Sequence, residues 1–136
     1  RGEHAFELAL TAYSGSWREA GIQPLAHSFA HPPLAWATNG HQGPIGPAVP
    51  LATTGDAGIV PSALHRSQAD GAPIARVYNA SAEPREAALR VHGASVGAGL
   101  TNLLEEHESE PASGEDGGWR FALRPWQIQT LRFGRG

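Results

Sequence analysis

From residue 59 onward, apolar side chains recur at every second position in short runs, and Gly, Pro, Asp and Ser punctuate the runs. A period of two puts neighbouring side chains on opposite faces of an extended chain, so each run has one face to bury and one to leave wet. Ile59 to Arg66 and Pro73 to Ala80 are joined through Ala69-Asp70-Gly71, the best hairpin signal in the chain. After the turn Ser81-Ala82-Glu83-Pro84, residues 85 to 92 turn Ala87, Leu89 and Val91 inward and Arg90 and His92 outward. Val96 to Leu104 follows, with Gly97 and Gly99 on one face, a sign of a bulge or of close approach by another backbone. An acidic turn from Glu105 to Gly118 leads to Trp119, Phe121 and Leu123 on one face of the next strand. In the last run, Trp126 and Ile128 have one parity and Leu131 and Phe133 the other. That switch requires either a bulge near Gln129 or cover on both faces. Six or seven short strands without βαβ alternation predict an all-β fold, an antiparallel β-sandwich.

The N-terminal part reads differently. His4 to Tyr13 alternates, with Phe6, Leu8 and Leu10 on one side and Glu7 and Thr11 on the other, which predicts a strand. Ser16-Trp17-Arg18-Glu19 fits a capping box, the start of one short helical segment. Gly21 and Pro24 limit its length, Leu25 and Phe29 share a side four residues apart, and Pro32-Pro33 stops it. Residues 31–58 are rich in Pro, Gly, Thr and Ala and predict a connection around the apolar knot Leu34-Ala35-Trp36. The expected organisation is a single domain over 1–136: a strand and short helix in 1–30, the connection in 31–58, and the main sandwich strands in 59–136.

A length of 136 residues suits one domain and lets it bury roughly two-thirds of its unfolded surface without staples. Cysteine is absent, which removes disulfides, thiolate metal sites and a cysteine nucleophile. Methionine is absent too, and the chain opens on Arg1 just ahead of an alternating run. We expect a piece of a longer polypeptide, whose chemistry then lies partly outside this segment. The net charge is −3, and all ten basic residues are scattered arginines. Without a basic stripe interleaved with aromatics, nucleic acid is not an expected partner. No apolar run approaches the ~20 residues a membrane helix needs.

Several residue groups have the chemistry for a site. Glu105, Glu106, Glu108, Glu110, Glu115 and Asp116 offer carboxylate pairs of the kind hydrolases use. They share one polar stretch with nothing apolar to raise a pKa, and a solvated loop is the expected outcome. His27 and His31 are spaced to share a helix face and offer two metal ligands, but no third is specified. His4, His41, His65, His92 and His107 are dispersed and form no recognisable triad. Gly93-Ala94-Ser95-Val96-Gly97 lacks the lysine of a phosphate loop, and Asn79-Ala80-Ser81 fits a glycosylation acceptor only formally. Trp17, Trp36, Trp119 and Trp126 offer a sugar-stacking platform; the alternative is that Trp119 and Trp126 bury their rings between sheets. Arg76 shares a strand face with Ile74 and Tyr78, where its charge calls for an ion pair, hydrogen bonds to carbonyls, or a substrate.

Four segments, in order, carry a resemblance. Gly2-x-His4-x-Phe6-x-x-Ala9-Leu10 with Gly15-x-Trp17 comes first, then Ile74-Ala75-Arg76-Val77-Tyr78-Asn79. Thr101-Asn102-Leu103-Leu104-Glu105-Glu106 and Leu123-Arg124-Pro125-Trp126-Gln127-Ile128-Gln129-Thr130-Leu131 follow. Together they resemble the C-terminal part of glycoside hydrolase family 38 α-mannosidases. One departure is Ser62-Ala63-Leu64-His65, where the family often has Lys in place of His65.

The resemblance implies a non-catalytic C-terminal β-sandwich in a larger retaining enzyme that hydrolyses α-mannosides. The nucleophilic aspartate and the zinc, held by Asp and His side chains, would then belong to an N-terminal domain outside this chain. No catalytic, cofactor-binding or metal-binding residue carries over onto this sequence. The expected partners are other domains of the same polypeptide, with α-mannoside as the parent's substrate, possible self-association of the parent, and a bacterial cytoplasmic location. An independent carbohydrate-binding module is the alternative.

Overall fold

The computed structural model describes residues 2–40, 42, 43, 46, 48–93, 97–113 and 118–134, with the backbone alone at 112 and 113. The chain divides into two units, Arg1–Gly43 and Pro44–Gly136.

The second unit holds two antiparallel sheets. One has four strands in the order β1 (Ala52–Thr53), β4 (Arg85–Val91), β8 (Trp119–Leu123), β7 (Ala112–Ser113). The other has five, in the order β2 (Ile59–Arg66), β3 (Pro73–Asn79), β9 (Ile128–Phe133), β5 (Ala98–Thr101), β6 (His107–Ser109). The core lies between their inner faces. Ala87, Leu89, Val91, Trp119, Phe121 and Leu123 come from the first sheet, and Ile59, Ala75, Val77, Ala98, Leu131 and Phe133 from the second. Trp119 meets Phe133 edge-on across the gap, ring centroids 4.9 Å apart, a geometry that suits the charge distribution of two aromatic rings. Each fully buried leucine or phenylalanine here stabilises the fold by roughly 1.5–3 kcal/mol. The architecture is therefore the all-β sandwich that the alternation predicts, with one short helix near the N-terminus.

The hairpin β2–β3 closes as the sequence indicates. Gly71 sits at φ 76, the Ser67 hydroxyl accepts from the Ala69 amide, and Asp70 Oδ1 accepts from the Ala72 amide. In β4, Ala87, Leu89 and Val91 are buried and Arg90 and His92 exposed, as expected. Of the two glycines, Gly97 precedes β5 and a Cβ on it would meet no atom within 4 Å, while Gly99 lies beside a bulge and a ring. The ladder shifts register between Leu100 and Thr101, and a Cβ on Gly99 would lie 2.8 Å from the His107 ring. The close neighbour is thus a side chain rather than a backbone.

Four expectations need correction. Residues 4–13 form no strand: the segment has no secondary structure and no ladder partner among the described residues. Alternation supplies a face, and without a neighbouring strand the face stays open; Phe6, Leu8 and Leu10 are 85%, 92% and 102% exposed. The 31–58 connection contains β1, which Leu51, Ala52 and Thr53 align against β4. Thr54 then turns inward, its hydroxyl donating to the Asp56 and Ile59 carbonyls. The acidic turn carries β6 and β7, while Glu115 and Asp116 lie outside the described residues. Finally, Trp126 precedes β9 in a turn, and Ile128 lies on the outer face. The parity switch thus needs no bulge, because β9 pairs in regular register with β3 and β5.

In the first unit the capping box forms. Glu19 accepts from the Ser16 amide and hydroxyl, and the Glu19 amide donates to Ser16 Oγ. A turn over 17–21 leads to α1, Ile22–Ala30, entered through Gly21 at φ 66 and closed at His31 ahead of Pro32. The Ser16 amide first and the Ser16 hydroxyl second hold the Glu19 carboxyl below its ordinary pKa. Arg18 lies over the Trp17 ring, 4.3 Å from its centroid.

Candidate docking surface

The ladder registers lay out the outer face of the five-stranded sheet in rows. Val60, Tyr78 and Ile128 form one row; Ala63, Arg76, Thr130, Thr101 and His107 form the next; His65, Ile74, Arg132 and Gly99 form the third. Arg76 donates from Nε to Thr130 Oγ1 at 3.1 Å. The partner is a hydroxyl, where the sequence suggested a carboxylate or carbonyls. Its own carbonyl accepts from Ser62 Oγ at 3.3 Å.

Two turns at one end of this sheet each hold a non-glycine residue in a left-handed conformation. Arg124-Pro125-Trp126-Gln127 places Trp126 at φ 60, and the Gln127 amide donates to the Arg124 carbonyl at 3.1 Å. Proline second and a left-handed residue third is the plan of a type II turn, which ordinarily takes glycine or asparagine at the third place. A tryptophan there costs on the order of 1 kcal/mol, so the surroundings must hold it. Gln127 Oε1 accepts from the Arg124 amide and Nε, and Gln127 Nε2 donates to Gln129. Buried Asn79 completes the hold. Its amide nitrogen donates to the Glu83 and Arg124 carbonyls at 2.7 and 3.1 Å, and its backbone N–H donates to the Gln127 carbonyl. The result sets the Trp126 ring half out in solvent, 53% exposed.

The turn from β5 to β6 also holds a left-handed residue, here fourth rather than third, since the Glu105 amide donates to the Asn102 carbonyl at 3.1 Å. Glu105 is at φ 65, and Asn102 staples the loop: its Oδ1 accepts from the Leu104 and Glu106 amides, and its Nδ2 donates to Glu106. What this turn displays is Leu103 and Leu104, 63% and 78% exposed. Between the two turns lies an open hollow of about 280 Å³, bordered by Asn102, Leu103, Arg124, Gln127 and Ile128. These turns fall on the third and fourth segments of resemblance.

A second hollow, about 490 Å³, collects Asp70, Glu105, His107, Glu110 and Arg132 over Gly99. Here the charges are paired with one another. Arg132 Nη2 bonds Asp70, Arg132 Nη1 lies 4.0 Å from Glu105, and His107 Nε2 lies 2.8 Å from Glu110. The remaining acids, Glu106 and Glu108, are exposed.

The other singled-out residues disperse. His27 and His31 stand with ring centroids 6.0 Å apart, and no three His, Asp or Glu side chains among the described residues converge to hold an ion. His4, His65 and His92 are exposed and separate, and His41 lies outside the described residues. Of Gly93 to Gly97, residues 94–96 are outside them as well. Asn79 is wholly buried with its amide engaged, so it is closed to glycosylation. Trp119 buries its ring as expected and Trp126 does not, while Trp17 and Trp36 lie in the first unit, 39% and 80% exposed.

Sequence reasoning missed one clamp. Arg85 Nη1 reaches both Asp56 oxygens at 2.8 Å, and Arg85 Nε donates to Ser81. A Cβ on Gly58 would lie 2.5 Å from Arg85 Nε, so any larger residue there must displace the guanidinium. Burial pushes the Asp56 carboxyl up, but the Gly58 amide and Arg85 together outweigh it and hold the group below its ordinary pKa. Asp56-Ala57-Gly58, an acid two residues before a glycine, was the available sign of a side-chain-closed turn.

Residues 58–131 match one family model, described as the glycosyl hydrolases family 38 C-terminal beta sandwich domain. The match takes in more than half the chain and reaches from the start of β2 to within β9. No curated protein matches the chain.

Proposed function

Because the chain belongs to the glycosyl hydrolase family 38 C-terminal β-sandwich domain family, we propose that it serves as a non-catalytic structural domain of a retaining α-mannosidase. On this reading it packs against the other domains of that enzyme through the end of the five-stranded sheet. The observation that carries the reading is the pair of stapled turns. Each holds a non-glycine residue in a left-handed conformation, and together they present Trp126, Leu103 and Leu104 to solvent. Apolar side chains on a rigid backbone lose little entropy on docking, which is what a permanent interface uses. The zinc and the nucleophile would belong to the parent's other domains, and the parent would work on mannosides in the cytoplasm.

The test is made in the parent enzyme and the isolated chain together. Trp126→Ala with Leu103→Ser should lower the parent's thermal stability and activity and leave unfolding of the isolated chain nearly unchanged. If the parent is unaffected, the surface is not its interface.

The exposure of Trp126 also favours a second reading, an independent carbohydrate-binding module, because a half-open indole is a surface on which sugars stack. Mannose titration of the isolated chain, followed by tryptophan fluorescence, separates the two. A saturable response abolished by Trp126→Ala establishes the module; a flat response leaves the structural domain.

A further inference from the structure

Asn39-Gly40 lies in the connection, in exposed chain without secondary structure. We propose that Asn39 is a site of spontaneous covalent modification, deamidating through a succinimide to aspartate and isoaspartate, and that the Thr38 hydroxyl promotes the step.

The chemistry needs no enzyme and no cofactor. Hydroxide takes the proton of the Gly40 amide, and the resulting nitrogen attacks the side-chain Cγ of Asn39. The Gly40 N–Cγ bond forms, the Cγ–Nδ2 bond breaks, and the amide leaves as ammonia after taking a proton from water. Water then opens the five-membered imide at either carbonyl. Opening at one gives aspartate; opening at the other moves the main chain through the side chain and gives isoaspartate. Nothing is oxidised or reduced.

Three features favour this position. Gly40 has no Cβ, and one placed there would meet no atom within 4 Å, so the nitrogen has the rotational freedom that ring closure demands. Solvent reaches the asparagine, which lines an open hollow of about 370 Å³ with Ala37 and Thr38. The Thr38 hydroxyl donates to the Asn39 carbonyl at 3.3 Å. That carbonyl belongs to the peptide unit that must lose its proton, and a donor on its oxygen stabilises the negative charge that develops there.

Another site with the same local chemistry is closed by structure. At Asp70-Gly71 the attacking Gly71 amide donates to the Ser67 carbonyl at 2.8 Å, Gly71 is fixed at φ 76, and both Asp70 oxygens are engaged. Asn79 is buried, and Asn102 spends its carbonyl oxygen on two amides. Thermolability of asparagine is general; of the three asparagines, Asn39 is the one that glycine follows.

The whole chain, incubated in mildly alkaline buffer and then cleaved at arginine, tests this. The fragment 19–66 contains Asn39 as its sole asparagine. It should split into two products, each carrying an acid in place of an amide, with isoaspartate in excess and fragmentation locating the change at residue 39. The fragments bearing Asn79 and Asn102 should stay unchanged. Gly40→Ala should slow conversion by about tenfold or more, because its Cβ obstructs ring closure. Thr38→Val should slow it severalfold while Thr38→Ser keeps the rate. An unchanged 19–66 fragment, or equal conversion at Asn79 and Asn102, overturns the proposal; equal rates in Thr38→Val and the parent chain overturn the role of the hydroxyl.

Discussion

Residues 2–43 and 44–136 contain runs that read alike and end differently. In the first unit, Phe6, Leu8 and Leu10 alternate as well as any strand in the second, yet no described residue of that unit is buried. In the second, Leu89, Leu123 and Leu131 are wholly buried. The hydrogen bonds differ in the same way. Those of the first unit join near neighbours, such as Ser16 with Glu19 and His27 with His31. Those of the second cross the chain, joining Arg76 to Thr130 and Arg132 to Ser67. Alternation prepares a strand; a second strand at the right register makes it one.

The largest test of that contrast is to truncate matching residues on each side. Leu131→Ala should cost about 2–5 kcal/mol in urea unfolding, since the cavity lies between two sheets that collapse only in part. Leu8→Ala should stay within about 0.5 kcal/mol, as expected for an exposed side chain away from any special contact. A comparable loss at Leu8 would mean that residues 4–13 have a packing partner in solution, and the distinction between the units would fail.

A smaller effect, of about 2–3 kcal/mol, is expected for Asn79→Ala, which takes one donor each from the carbonyls of 83 and 124 and leaves the Ser81 amide without its acceptor. The same change should release the turn that holds Trp126, and the Trp126 fluorescence should shift toward that of a fully hydrated indole. Loss of stability with no change at Trp126 would show that Pro125 and Gln127 alone set the turn.

What the sequence revealed follows from what each feature depends on. The faces of β4 and β8 were legible because burial alternates strictly along them, from Ala87 to Val91 and from Trp119 to Leu123. So was the capping box, which closes within four residues. The short strands β1, β6 and β7 were not legible, because two or three residues give no period to detect and their pairing depends on a partner far along the chain. The candidate surface was half legible. Its segments stood out by resemblance, but the exposure of Trp126 comes from a left-handed backbone that Asn79 and Gln127 impose from elsewhere. Nothing in the local order of Arg124-Pro125-Trp126 distinguishes that turn from the start of a strand.

The Asp56–Arg85 clamp should contribute about 1–2 kcal/mol, because it is partly exposed and one nitrogen serves both oxygens. Its pH dependence has a fixed sign. Folding lowers the Asp56 pKa, so its contribution is present above the unfolded value of about 3.9 and fades as pH falls through the lower folded value. Asp56→Asn should remove that acid-side slope in urea unfolding followed with pH. Gly58→Ala should cost a similar amount by displacing the guanidinium. If Asp56→Asn keeps the slope, another carboxylate provides it.

The smallest effect belongs to the first unit, and it asks whether that unit holds any structure of its own. Glu19 is solvent-exposed and works only on Ser16, so its loss should leave the urea midpoint of the second unit where it was. Local helix content is the proper readout. Glu19→Ala should lower the helical circular dichroism of α1 and its approach, because the Ser16 amide loses its acceptor. Glu19→Gln should retain most of the signal, since its carbonyl oxygen still accepts. The carboxyl's pKa is lowered by those bonds, so the helical signal should hold above the ordinary glutamate value of about 4.3 and decline only as pH falls through the lowered one. In Glu19→Gln that decline should vanish. A helical signal indifferent to both substitutions would place the origin of α1 in Gly21 and Pro24 alone.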